Sequence, residues 1–298
     1  MQKIIDIHTH GIGGYDTRTT VEDHILKIAE IHGSYGISEI IPTIYPATIK
    51  VMRENMMMVK KAMELQKAGS SELQTPNSQL STIIGVHLEG PFLNPSKCGV
   101  LNAITFIEPS EDNFKELVEG FEDIIKIITI APEINGATKL IKKITDTGII
   151  ASMGHSEATY AEAEAGFHAG AKGITHIFNA MRGFHHRELG IAGFGLLNQD
   201  IYIEVIADPY HLHQKTLELI FKTKNPDRII IVSDSVKEAT PFTKSLGVTD
   251  AHGKLLGGCM TTAESSKRLI EIGFDENIIM KCISGNPERY LNIVMGDE

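Results

Sequence analysis

Side chains able to bind a metal or move a proton recur in this chain where short apolar runs end. "IIDIHTHG" (residues 4–11) carries His8 and His10 one residue apart, and "GVHLEG" (85–90) carries His87 and Glu89 at the same spacing. His155 follows "GIIASMG", His176 follows "GIT", Asp208 and His211 follow "IYIEVIA", and Asp234 follows "RIIIVS". Alternate side chains of a strand share a face roughly 6–7 Å apart, so His8 and His10 can converge on one ion. Imidazole nitrogen and carboxylate oxygen are the donors that Zn²⁺ or Fe²⁺ takes where thiolates are absent. Singly, each ending is equally a place where a strand meets water. The elements that carry these residues decide whether they meet.

The apolar runs are "KIIDIHTH", "EIIPTIYP", "STIIGVHLEG", "IIKIITIAPE", "GIIASMGHS", "GITHIFNAM", "IYIEVIADPYH" and "RIIIVSDSV". Near-continuous Ile and Val runs suit strands buried on both faces, as in a parallel sheet. Helical patterns lie between them. "TTVEDHILKIAEIHGSYG" has Thr20 as its N-cap and Gly36 just past its end, and "SEDNFKELVEGF" is capped by Ser110. "NGATKLIKKITDTG", "TYAEAEAGFHAGA" and "HQKTLELIFKTK" read the same way. Strands that alternate with helices eight times make an α/β fold of the (β/α)8, or TIM barrel, type. An open doubly wound sheet is the second choice, but no glycine-rich phosphate turn follows a strand. The polar stretch "AGSSELQTPNSQL" (68–80) reads as a loop, and no repeat or linker interrupts the chain, so residues 1–298 are expected to form a single barrel domain. The C-terminal ends of barrel strands share one mouth. There His8, His10, Glu89, His155, His176 and Asp234 supply four histidines and two carboxylates from five strands, a set for one or two divalent ions.

Other histidines read differently. His24, His32 and His168 lie in helical segments and His252 in the turn "TDAHGK", the places of ordinary helix or surface histidines; His213 carries no assignment. His87 shares the face of Glu89 and reads as a satisfied interior histidine or a group supporting a ligand. Asp6, in phase with His8, either braces it or is simply a buried, hydrogen-bonded Asp. The formal charge of −10 argues against a nucleic-acid groove or an anionic membrane surface as partner. No apolar stretch approaches the ~18 residues of a membrane span. Met1 runs almost directly into the first strand, which reads as no room for a secretory leader. Cys98, Cys259 and Cys282 are few and widely spaced, without zinc-ribbon or disulfide pattern, so a reduced, cytoplasmic protein is expected.

The chain resembles the amidohydrolase superfamily, and within it the N-acetylglucosamine-6-phosphate deacetylase family. The matching stretches, in the family's order, are "IDIHTHG", "GVHLEGPFLNPSKCG", "APE", "MGHSEATYAEA", "THIFNAM", "HHRELG", "IADPYHLH" and "IVSDS". The resemblance implies that Glu89, His155 and His176 bind the main metal and that Asp234 is the catalytic acid and base. It implies further that His8 and His10 complete a second position with Glu89 bridging, for one or two ions of Zn or Fe. Asn179 and Ala180 would lie along the sugar, Arg187 would face the phosphate, His211 would touch the sugar or its acetyl carbonyl, and the loop after Gly258 would add an apolar wall. The implied reaction frees acetate from N-acetylglucosamine 6-phosphate or a close relative, in a homodimer that shares site residues. Departures accompany the match. Residues 1–298 lack the family's small β-sandwich segments, Leu189 stands where Pro is usual, Pro209 where Gly is usual, and Val100 and Leu101 follow Gly99 near the substrate. Another amidohydrolase (a cyclic-amide hydrolase or a deaminase) and a non-catalytic sugar-phosphate binder remain alternatives at this stage.

Overall fold

The computed structural model describes residues 3–69, 80–240 and 247–292. Eight parallel strands alternate with helices. They are β1 (Ile5–Thr9), β2 (Glu39–Ile44), β3 (Val86–Glu89), β4 (Ile125–Ile130), β5 (Ile150–Met153), β6 (Gly173–Ile174), β7 (Tyr202–Ile206) and β8 (Ile229–Val232). Each pairs with the next in chain order. The ring returns to its start through a parallel bridge between Thr9 and Ser235, with the Asp234 N–H donating to the His8 carbonyl at 2.9 Å. The expected (β/α)8 barrel is therefore the fold. "STIIGVHLEG" divides into Thr82–Ile83, which pairs with β2, and β3 itself.

Alternation within the strands builds two cores. In β8, Ile230 and Val232 join Ile7, Ile41 and Ile127 in the cluster that fills the barrel, while Ile229 and Ile231 pack into the larger cluster beneath the helices. Tyr290, from the last described helix, is fully buried against the inner cluster. The barrel is thus packed with side chains, and its polar groups collect at the other end of the strands.

The helices follow from apolar stripes and caps. In α1 (Glu22–Ser34), Ile25, Ile28, Ala29 and His32 are buried at helical spacing. Val21, not Thr20, occupies its N-cap position, and the Thr19 hydroxyl accepts from the Val21 N–H at 3.1 Å. Thr20 is exposed instead of capping. Gly36 does take the left-handed conformation past the C-terminus (φ +84°), and Ser110 caps its helix by accepting from the Asn113 N–H. The helix Ile49–Ala68 includes the start of the stretch read as a loop at 68–80, and residues 70–79 lie outside the described residues. Among the described residues, no helix is long and apolar enough to cross a membrane.

Candidate active site

The polar strand endings do converge. His8 lies in β1 and His10 just after it, at a register shift in the β1–β2 pairing between Asp6 and Thr9. Glu89 is the last residue of β3. His155, His176 and Asp234 each sit two residues beyond their strand, with φ of +47°, +31° and +47°. Left-handed backbone costs a non-glycine residue about 1–3 kcal/mol, so the surroundings must hold all three turns in place. At Asp234 they do so from both sides. Its N–H donates to His8 O, and its carbonyl accepts from the Gly258 N–H at 2.7 Å. A Cβ on Gly258 would overlap the Ser233 carbonyl oxygen, so only glycine allows this approach. Thr9 Oγ1 adds a staple, 2.8 Å from Ser235 Oγ and 3.0 Å from His32 Nε2. His32 is consequently fully buried, not a surface helix histidine.

Among the described residues three buried groups could hold an ion: the triads Glu89–His155–His176 and His8–His10–Asp234 at the pocket, and His8–His87–Glu204, which shares His8. Glu89 Oε1 lies 3.0 Å from the Nε2 atoms of both His155 and His176, which are 3.2 Å from each other. Glu89 Oε2 lies 3.3 Å from His10 Nε2, so the carboxylate spans both triads. Asp234 Oδ1 is 3.3 Å from His8 Nε2 and 3.5 Å from His10 Nε2. Ring hydrogen bonds test whether these residues fit a metal. His10 Nδ1 faces the Thr43 carbonyl at 3.0 Å and His155 Nδ1 the Lys97 carbonyl at 2.9 Å. A carbonyl only accepts, so both Nδ1 atoms carry the proton and both Nε2 atoms present lone pairs. Lone pairs facing carboxylate oxygens and each other, out of water, form the donor set of a borderline divalent cation. The residues fit.

Electrostatics agree with a cation site. Burial alone would raise the Glu89 carboxyl, but His155 and His10 against it hold it well below its ordinary value. Burial first, then Glu89, pushes the Asp234 carboxyl up to about 8, while His176 works the other way. His8 is held well below its ordinary value, chiefly by burial. The centre thus disfavours a proton on His8 and crowds the Glu89 and Asp234 carboxyls together, a balance a bound cation relieves.

Around this centre, the pocket is lined by Asn179, Ala180, His211 and Asp234, with Val100 and Leu101 on one side and Leu255–Gly257 on another. His211 Nδ1 is paired with Asp208 Oδ2 at 2.9 Å. Tyr45 stacks on His10 with ring centroids 3.8 Å apart. The apolar wall precedes Gly258, where the sequence suggested the loop after it, because Leu255–Gly257 pairs with Val248–Thr249 in a hairpin that folds over the mouth. Arg187 is exposed and off the pocket lining. Among the described residues the cation on the lining is Lys254, which donates to the Gly99 carbonyl.

Interior polar residues complete the frame. His87 is interior and satisfied, one of the two readings the sequence left open, with Nε2 2.8 Å from Thr129 Oγ1 and Nδ1 3.3 Å from Ile7 O. Asp6 braces the backbone, accepting from His8 N–H and Ser233 N–H at 3.3 and 3.2 Å. His213 caps the next helix, Gln214–Thr223. Sequence reasoning missed Glu204, whose Oε2 lies 2.9 Å from His8 Nδ1. A lone carboxylate in the middle of the apolar strand "YIEVI" was the signal for it. Lys254 had no such signal.

No family model matches the chain. It is 35% identical over 236 residues to N-acetylglucosamine-6-phosphate deacetylase of Bacillus subtilis, covering 78% of this chain and 57% of that protein. With the enzyme of the same name from Haemophilus influenzae it shares 30% identity over 291 residues, 90% of this chain and 70% of the relative. Residues 1–298 therefore span between about half and about two thirds of the length of these relatives. The crystal structure of N-acetylglucosamine-6-phosphate deacetylase from Thermotoga maritima superposes with a TM-score of 0.82 at 27% identity, over 98% of this chain and 79% of that one. By sequence over nine-tenths of its length and by fold, the chain belongs to the N-acetylglucosamine-6-phosphate deacetylase family.

Proposed function

We propose that the chain is a metal-dependent deacetylase that hydrolyses the acetamide of N-acetylglucosamine 6-phosphate, or a close relative, to the amino-sugar phosphate and acetate. The barrel over residues 1–298 acts as one catalytic domain. The observation that carries this reading is the Glu89–His155–His176 triad, with Nε2 lone pairs and a carboxylate converging beside Asp234 in one pocket. These three would hold the main ion, and His8 and His10 a second. A bound divalent ion of this kind acidifies water from a pKa of 15.7 to about 7 and polarises carbonyl oxygen.

The chain's own residues supply the rest. Asp234, aimed into the pocket by its two backbone hydrogen bonds, accepts the proton of the attacking water and returns it to the sugar nitrogen as the C–N bond breaks. Without that return the leaving group would be an amide anion, so a proton donor is indispensable. Positioned acid–base help is worth ~10²–10⁴-fold. His211 is oriented by Asp208, whose carboxyl stays below its ordinary value: burial pushes it up, and the His211 ring together with the Tyr210 and His211 N–H groups outweighs that. An ionised Asp208 keeps the proton on Nδ1, so Nε2 meets the substrate as an acceptor from the neutral ring or a donor from the imidazolium. Asn179 and Ala180 flank the sugar, and Val100 and Leu101 shape its other side. Lys254 is the pocket cation for the phosphate, in place of the off-pocket Arg187. Cys98, Cys259 and Cys282 form no disulfide among the described residues, which suits a reducing, cytoplasmic setting.

The test is acetate release from N-acetylglucosamine 6-phosphate by protein reconstituted with Zn²⁺ or Fe²⁺, beside a cyclic amide and an aminated ring as controls. Acetate from the sugar phosphate alone supports the proposal. Turnover of either control without acetate release would replace it with another hydrolytic activity on this scaffold.

A further inference from the structure

Glu204 stands in the middle of β7 and is buried, in a strand whose other residues are Tyr, Ile, Val and Ile. An ionisable side chain there is costly unless it is engaged. Its Oε2 lies 2.9 Å from His8 Nδ1 and accepts from the His176 N–H at 3.4 Å, while Oε1 meets no protein donor. Hydrogen bonding within the fold therefore uses one of its two oxygens, and uses it on two residues of the proposed metal centre. We infer that Glu204 is a positioning residue. It orients His8 as a ligand and thereby makes the second ion position.

A histidine binds an ion through Nε2 only if its proton sits on Nδ1, and the acceptor behind Nδ1 decides that. For His10 the acceptor is the Thr43 carbonyl, and for His155 the Lys97 carbonyl. His8 has no such carbonyl. Its Nδ1 faces Glu204, and its Nε2 lies 3.3 Å from both His10 Nε2 and Asp234 Oδ1. A carboxylate behind an imidazole fixes the ring's rotation and strengthens it as a donor, and losing such a partner typically costs 10–100-fold in metal affinity. Glu204 touches the other triad only through the His176 N–H, whereas Glu89 and the Lys97 carbonyl behind His155 hold that triad independently, so removing Glu204 unloads the His8–His10–Asp234 position more than the Glu89–His155–His176 one.

This inference rests on reading the two triads as a metal centre, and the experiment separates the two. Full-length wild type, Glu204→Ala and Glu204→Gln are saturated with Zn²⁺ and desalted. Ions per chain are counted by elemental analysis, and the affinity of each ion is measured by competition with a chromophoric chelator. Wild type is expected to hold two ions. Glu204→Ala, with a wild-type circular dichroism spectrum, keeps one. Glu204→Gln retains an acceptor oxygen and so rescues the second ion at 10–100-fold weaker affinity. If Glu204→Ala does not fold, the same weakening in Glu204→Gln carries the test. Two ions at wild-type affinity in the variants, equal weakening of both ions, or a single ion in wild type would overturn the inference. Wild type that takes up no ion would overturn the metal reading itself.

Discussion

His32 makes the sharpest stability prediction, because a single cause perturbs it. The ring is fully enclosed between α1 and the ends of β1 and β8, bonded to the Thr9 hydroxyl, and burial alone lowers its pKa to about 4 from the ordinary 6.5. Between those two values the unfolded chain binds one proton more than the native chain, so native stability falls as pH falls from 6.5 toward 4. A drop from 6.5 to about 4, at about 1.4 kcal/mol per pH unit, makes the full loss about 3 kcal/mol. In His32→Gln the amide stays neutral, so the variant escapes this loss whatever its fixed packing cost. Urea unfolding of both proteins between pH 7.5 and 4.5 gives the difference in stability at each pH, and subtraction removes contributions from other groups that titrate alike in the two. That difference should move in the variant's favour by about 2–3 kcal/mol over the range. A difference that stays constant with pH would refute the reasoning, since His32 would then titrate alike in both states.

Two further substitutions probe the mouth. Lys254→Met should raise KM for the phosphorylated sugar about ten-fold, as expected for an exposed charge-assisted hydrogen bond, and leave turnover of unphosphorylated N-acetylglucosamine unchanged; an equal effect on both sugars would remove Lys254 from the phosphate. Gly258→Ala pushes a methyl group into the Ser233 carbonyl and should cost about 1–3 kcal/mol, seen as a melting temperature several degrees lower, with kcat reduced because Asp234 loses its backbone support. An unchanged melting temperature would show that the hairpin yields at no cost.

Much of the site was legible because barrel strands put their ends in one place and short Ile and Val runs are easy to find. His8, His10, Glu89, His155, His176 and Asp234 each follow such a run, and convergence needed only the correct fold. Glu204 was also legible, as a charge inside an apolar strand, but its role depends on which ring lies across the barrel, and no local pattern carries that. His32 lies on the stripe Ile25–Ile28–Ala29–His32, so its burial was readable from helical spacing; the hydroxyls of Thr9 and Ser235 that receive it were not. Lys254 and Arg187 show the limit. Each sits in a polar stretch; the hairpin over the mouth puts the lysine on the pocket, while the exposed arginine is off its lining. Thr20 is not the cap because the helix begins one residue later, with Val21 at the N-cap position and its N–H donating to the Thr19 hydroxyl.

The central claim is that Asp234 moves the proton in a pocket whose metal is held chiefly by other residues. The most direct measurement is kcat for acetate release by Asp234→Asn, with metal content determined on the same sample. Asn preserves shape and keeps an oxygen near His8 and His10, and Glu89, His155 and His176 are untouched, so at least one ion should remain. Turnover should fall by ~10²–10⁴-fold, about 3–5 kcal/mol of barrel-mouth catalysis. A metal-loaded Asn variant within ten-fold of wild type would contradict the account.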